Sequence, residues 1–249
     1  MFRGDWRLVL VDDFNDNSID ISKWDEYEYL GATVKEQNQR LECLMDSEFQ
    51  ACGVSSKEKI DCRNIDITVR IGMIGTPAGW ALMLCPVKTY TQNIFEVKPH
   101  YAIQYSMGQG VQALKFGQND TERKVLKTEG VAFQDGMSLR IFSAEGMIRF
   151  YYEKGSGWKE VYSEPYSNVD YDCYVYIVAG STPDNIGSCW FDDFQAIEAI
   201  SPTGQVSSMI TNYIVPTVTF FVTSTLLLSI VRSLREWSMT GFNFTQKLM

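Results

Sequence analysis

The chain has a single histidine, His100, in 249 residues, and it contains no C-x-x-C pair, no G-x-S-x-G and no charge anywhere between Glu198 and Arg232. Each absence removes a class of chemistry. A lone histidine after Pro99 reads as a turn or surface residue, and Ser-His-Asp or Cys-His catalysis would require His100 itself as the base. Gly108-Gln-Gly110 lacks a third glycine and a following helix, so no nucleotide cradle is indicated. The six cysteines, Cys43, Cys52, Cys62, Cys85, Cys173 and Cys189, have no zinc-knuckle or thioredoxin-like spacing. Their even number suits disulfides, their setting in apolar runs such as ALMLC and DCYVYIV suits ordinary buried thiols, and both readings stay open. No convincing amphipathic helix precedes residue 209, and no internal repeat is visible.

What is present begins with charge and a long apolar run. Lys and Arg number 22 against 31 Asp and Glu, a formal net charge of −9, which argues against nucleic acid or anionic lipid as a partner. Residues 209–231, MITNYIVPTVTFFVTSTLLLSIV, carry no charge and are followed by Arg232 and Arg235. At about 1.5 Å per residue this run matches the roughly 30 Å hydrocarbon core of a bilayer. The expectation is one C-terminal transmembrane helix. Its Thr, Ser and Pro216 content suggests a helix that packs against others, which makes other membrane-protein subunits the expected partners beside the lipid bilayer itself. Trp237 fits an interfacial anchor.

The expected organisation is a folded domain over 1–200, a linker over 201–208, the membrane helix over 209–231 and a short polar tail over 232–249. The opening MFRGDWRLVLVDDF has neither an apolar signal-peptide core nor transit-peptide character. Arg232 and Arg235 would keep the tail cytosolic by the positive-inside rule, which would place the domain outside without a signal to export it. A tail-anchored arrangement resolves that conflict, with a mitochondrial membrane favoured over the cell surface. The N-x-[ST] sites at Asn119 and Asn243 flank the anchor on opposite sides.

Between these landmarks the chain reads as short strands. In IDITVRIGMI, residues 65–74, Ile65, Ile67, Val69, Ile71 and Met73 share one face while Asp66, Thr68 and Arg70 share the other, the pattern of a half-buried antiparallel strand. Further strands are predicted at 7–11, 80–85, 101–106, 111–116, 137–143, 147–153, 173–179 and 190–197. The run at 147–153 and a partner at 158–162 flank Lys154-Gly-Ser-Gly157, which predicts a hairpin. Short strands with regular turns and no alternating helices predict an all-β fold of two antiparallel sheets.

Several segments resemble the concanavalin A-like lectin and glucanase superfamily. DDFNDNSIDISKW, residues 12–24, is similar to its opening motif D-x-F-(N/D)-x-x-x-(L/I)-D-x-x-x-W. VKEQNQRLEC, residues 34–43, resembles the next element, a strand and polar turn leading to "R-L". IDITVRIGMI followed by Gly79-Trp-Ala-Leu-Met is similar to the paired strands that precede the active-site strand of the hydrolases, and CWFDDFQAIEAI resembles the final strand that returns beside the first. The resemblance implies a jelly-roll sandwich with a concave face that binds glycans in many members.

Retaining hydrolases of this kind need two carboxyl groups about 5–5.5 Å apart, supplied as E-x-D-x-x-E. The corresponding region here, Asn93-Ile-Phe-Glu-Val-Lys-Pro99, offers Glu96 alone with Lys98 two residues on, so no glycosidase activity and no catalytic residue is expected. Some superfamily members hold a structural calcium between first and last strands, and the resemblance implies Asp192 as its ligand. Turn capping is the competing role for Asp192, as for Asp12, Asp13 and Asp193. An EF-hand is excluded in 13–24, where Ser18 replaces the glycine and Trp24 the terminal glutamate. Trp80, Trp158, Tyr101 and Tyr105 are candidates for a sugar-stacking platform, against a core role.

Two functional expectations follow. The first is a non-enzymatic single-pass membrane protein, an accessory or scaffolding subunit of a larger and mitochondrial membrane complex. The second is a surface or virion glycan-binding protein held by its C-terminal helix.

Overall fold

The computed structural model describes residues 6–88, 101–116, 123–166 and 172–199. The membrane run at 209–231, the linker, the tail with Trp237, and Glu96, Lys98, His100, Asn119 and Asn243 lie outside the described residues. Among the described residues no helix is long and apolar enough to cross a membrane.

In chain order the strands are β1 Trp6–Asp12, β2 Trp24–Tyr29, β3 Thr33–Gln37, β4 Arg40–Leu44, β5 Ala51–Ser56, β6 Ile60–Asp61, β7 Ile65–Met73 and β8 Gly79–Cys85. They continue as β9 Tyr101–Ser106, β10 Gly110–Phe116, β11 Arg123–Glu129, β12 Met137–Ala144, β13 Met147–Lys154, β14 Gly157–Pro165, β15 Asp172–Gly180 and β16 Cys189–Ala199. They form two sheets with all pairings antiparallel. The first runs β14-β13-β12-β7-β16-β4-β3 with β1 also on β16; the second runs β11-β10-β9-β8-β15-β5-β2 with β6 also on β15. The first and last strands pair as expected, Asp12 opposite Phe194.

Side-chain alternation builds the core between the sheets. Ile65, Ile67, Val69 and Ile71 of β7 point inward and are fully buried, as are Leu82 and Leu84 of β8 and Val175 and Ile177 of β15 on the facing sheet. Each such side chain contributes roughly 1.5–3 kcal/mol by leaving water. Asp66, Thr68 and Arg70 are half-buried on the other side of β7, as its sequence pattern predicts.

The opening motif has a physical reason for its spacing. Asp12 Oδ1 accepts the backbone N–H of Phe14 at 3.0 Å and Oδ2 accepts the indole N–H of Trp24 at 2.8 Å. Asp20 terminates the loop between them: its carbonyl accepts from the backbone N–H groups of Lys23 and Trp24, and its carboxylate accepts from Ser22. The loop thus delivers Phe14 and Trp24 into the core, where Trp24 meets Phe194 of β16 edge-on at 5.0 Å.

The predicted hairpin is present as β13 and β14, with Lys154 opposite Gly157 and Gly155 at φ +64°. Asn38 and Gln39 likewise turn β3 into β4 with φ of 56° and 59°. All six cysteines are buried free thiols. Cys43 and Cys189 face each other across β4 and β16, and Cys43 and Cys52 donate to the carbonyls of Cys52 and Thr33. Of the two readings open in the sequence, the structure shows buried thiols.

Candidate functional site

The two faces of the second sheet are both apolar over most of their area. Its outer side carries a second buried cluster formed by Tyr27, Ala51, Ala81, Met83, Cys85, Ala102, Leu114, Phe116, Tyr176 and Val178. At the end of the sheet marked by Gly79 of β8, Ser106 of β9 and Gly180 of β15, this surface gives way to a polar cavity of about 440 Å³. Its wall includes Gln50, Gln104 and Gln109, the hydroxyl side chains Ser106, Ser181 and Thr182, and the ring of Phe49; Trp80 borders it with a side chain that is 1% exposed and turned into the core. Gly79 also lies in the wall, and a Cβ there would stand 2.6 Å from the carbonyl oxygen of Tyr105. None of the lining residues is ionisable.

Two hydrogen-bond networks hold the wall. Gln104, buried on β9, donates through Nε2 to Gln112 Oε1 at 2.6 Å, and Gln112 Nε2 donates to Gln109 Oε1 at 2.8 Å and Thr128 Oγ1 at 3.2 Å. This ladder crosses β9, β10 and β11 and fixes the orientation of each amide. On the other side Gln50 Oε1 accepts the backbone N–H groups of Asp46 and Ser47, while Nε2 donates to the Leu30 carbonyl and to Asp46. Ser181 Oγ accepts the Gln50 N–H at 2.9 Å and donates to the Ser47 carbonyl at 2.7 Å. The β4–β5 turn is therefore tied down, and it displays Phe49 at φ +61° with more than half its surface exposed. A bulky residue in that backbone region is costly and is kept only where neighbouring contacts determine it.

The sequence alone does not mark this cavity as a site. β9 pairs with β8 in the sheet, and its outward residues are Ala102, Gln104 and Ser106. No carboxylate stands among them. The spacing around Glu96 lies outside the described residues. Gln104, Gln112 and Phe49 are silent in the sequence, because an amide in an apolar run and a phenylalanine in a polar turn carry no spacing signal.

The aromatic candidates divide. Trp80, Tyr101 and Tyr105 are core residues: Trp80 stacks on Phe133 at 4.6 Å and donates to the Gly72 carbonyl, Tyr105 donates to the Val131 carbonyl, and Tyr101 donates to Glu164. Trp158 is 41% exposed, but it stands on β14 of the first sheet, away from the cavity strands.

Asp192 also lies on the first sheet, where it forms an ion pair with Arg70 and accepts the backbone N–H of Asp193. Both of its carboxylate oxygens thus have protein donors. Asp12 is similarly engaged by Phe14, Trp24 and Lys23. Calcium takes six to eight oxygen ligands, and the donor set at Asp192 does not fit it. Among the described residues no group of three or more His, Cys, Asp or Glu is gathered to hold a metal ion.

No protein-family model matches the chain, and no curated protein matches it. Solved structures do. The exoplasmic/lumenal domain of VIP36, in a form bound to Ca2+ and Man3GlcNAc, superposes with a TM-score of 0.58 at 10% identity, covering 77% of this chain and 91% of that one. A family 16 glycosyl hydrolase protein from Mycobacterium smegmatis gives 0.55 at 14% identity, with 76% and 100% covered. A pseudo β-1,3-glucanase of Mycobacterium tuberculosis, an immunostimulatory antigen, gives 0.56 at 13%, with 78% and 99% covered. The fold is the concanavalin A-like jelly roll that the opening and closing motifs imply.

Proposed function

We propose that the domain is a non-hydrolytic glycan-binding module, held at a membrane by residues 209–231. The observation that carries this reading is the cavity wall, which is built of amides and hydroxyls and holds no carboxylate. Amide groups offer a donor and an acceptor side by side, which suits vicinal sugar hydroxyls, and an exposed ring such as Phe49 suits the apolar face of a pyranose. Glycoside cleavage has no acid and nucleophile pair in this wall. Neighbours bound to mannose-type glycan or described as pseudo-glucanase support binding without hydrolysis.

A glycan array probed with the full chain in detergent tests the reading. Specific binding is expected, with at least a tenfold loss, about 1.4 kcal/mol, on Gln104→Ala or Phe49→Ala. Absence of binding to any glycan, or release of reducing sugar from β-glucan, would overturn it.

A second reading draws on the thiols. Six buried free cysteines suit a reducing compartment, and so favour a domain facing the cell or organelle interior as an accessory subunit of a membrane complex, with a mitochondrial membrane as its setting. Mild-detergent extraction and native sizing separate this from the first reading. Migration of the chain alone with its micelle would sink it.

A further inference from the structure

The outer face of the first sheet carries a cluster that the cavity does not use. Across β1, β16, β7, β12 and β13, Leu8, Ile197, Asp66, Phe142 and Arg149 stand in one register row. Arg140 in the next row forms two hydrogen bonds of 2.6 Å to Asp66, and its guanidinium lies 5.2–5.4 Å from the ring centres of Phe142, Tyr151 and Trp158. Trp6 packs on Phe142 at 6.2 Å, and Arg149 stands over the same ring at 5.8 Å. These side chains are not core: Trp158 is 41% exposed and Leu8 55%.

Where the chain leaves the sheet gives the cluster its meaning. β16 ends at Ala199, whose register partner is Trp6, so the last described residue lies at one margin of the cluster. Residues 200–208 then reach at most about 30 Å at 3.3–3.6 Å per residue before the apolar run begins. Trp and Tyr rings with Arg side chains are the groups that settle at the headgroup level of a bilayer, rings at the boundary and guanidinium toward phosphate.

We propose that this face, with Trp6, Phe142, Tyr151, Trp158 and Arg149 as its contacts, rests on the headgroup region of the bilayer that residues 209–231 enter. The proposal rests on the anchor reading above. Asp66, Glu153 and Glu160 also lie on this face, and the whole chain is acidic, so the surface it fits is zwitterionic. A face laid on lipid leaves the cavity on the other sheet open to its ligand.

The test is tryptophan quenching by brominated phosphatidylcholine with the full chain reconstituted in vesicles. Trp237, beyond the anchor, reports on the anchor alone, so Trp237→Phe isolates the domain. Brominated lipid is expected to quench Trp237→Phe, and the quenched fraction is expected to be at least halved when Trp158→Phe is added, with no requirement for anionic lipid. If wild type is quenched but Trp237→Phe is not, the anchor stands and the bilayer contact is overturned. If wild type neither floats with vesicles nor is quenched, the anchor and this inference fall together. Quenching that needs anionic lipid would overturn the zwitterionic assignment.

Discussion

The outer faces of the two sheets differ more than their inner faces do. On the first sheet the outward residues of β7 include Asp66, Thr68 and Arg70, all half-buried, and the strand alternates from Ile65 to Ile71. On the second sheet β5 is buried at every position, and β8 and β9 at all but one. One sheet has a wet side, and the other has two dry sides with a polar cavity at one end. The same rule of alternation therefore produces a surface in one case and a second core in the other, and the residues that face outward on the second sheet should behave energetically as interior residues.

Equivalent truncations on the two outer faces would break this contrast most directly. Met83 of β8, opposite Tyr176 in the second cluster, is 2% exposed. Met83→Ala is expected to cost about 2–5 kcal/mol, whereas Thr68→Ala on the outer face of β7 should stay within about 0.5 kcal/mol. Urea denaturation of the two variants checks the difference, and equal costs would show that the outer side of the second sheet is not a core.

The polar end of that sheet is predicted to fall next. Gln112 joins Gln104, Gln109 and Thr128 in one ladder and is 4% exposed. Gln112→Ala leaves buried amides without their partner and is expected to lower stability by about 1–3 kcal/mol. Because Gln112 is not itself in the cavity wall, glycan affinity should fall through the lost orientation of Gln104. Calorimetric titration at a temperature where the variant is folded separates that effect from unfolding.

On the first sheet the corresponding polar unit is the Arg140–Asp66 pair, whose side chains are 22% and 16% exposed. Arg140→Met keeps the apolar stem over Phe142, Tyr151 and Trp158 but removes both hydrogen bonds. A loss of about 1–2 kcal/mol is expected, reduced for the partial exposure, and Asp66→Asn in the same chain should recover part of it. Full additivity of the two substitutions in thermal unfolding would contradict a coupled pair.

Most of the architecture was legible in sequence because one physical signal carried it. Period-two alternation located β7, β12 and β13, and the Asp12–Trp24 spacing marked a loop whose hydrogen bonds turn out to set that spacing. Glycines marked the β13–β14 turn. What sequence left open was where each face of a strand looks: YAIQYS sets Tyr101, Ile103 and Tyr105 against Ala102, Gln104 and Ser106, and only the structure turns the first set to the core and the second outward. Gln104 is a cavity residue only by virtue of that orientation. The same blindness made Trp80, Tyr101 and Tyr105 look available to sugars, although they face the interior. Neither Phe49 nor its backbone conformation can be read from composition, since both depend on the side chain of Gln50, which grips the turn.

The last expected effect concerns an exception within the first sheet, an inward carboxyl on its edge strand. Glu36 on β3 shares a face with buried Val34, is 7% exposed and accepts the backbone N–H of Asp16 at 3.0 Å. Burial, reinforced by the neighbouring Asp16 and Asp12 carboxylates, pushes its pKa up to about 7 from an ordinary 4.5. A carboxyl whose folded value is raised binds its proton more tightly in the folded chain, so its contribution is fully present below pH 4.5 and is lost as pH rises through 7. Glu36→Gln keeps an acceptor for the Asp16 N–H and cannot ionise. The difference in urea midpoint between wild type and Glu36→Gln should therefore widen from pH 4.5 to 7 in favour of the variant, then stay constant. A difference independent of pH across that window would mean that Glu36 is as well solvated as the outward carboxylates of the same sheet, and the distinction between its wet and dry sides would not extend to the edge.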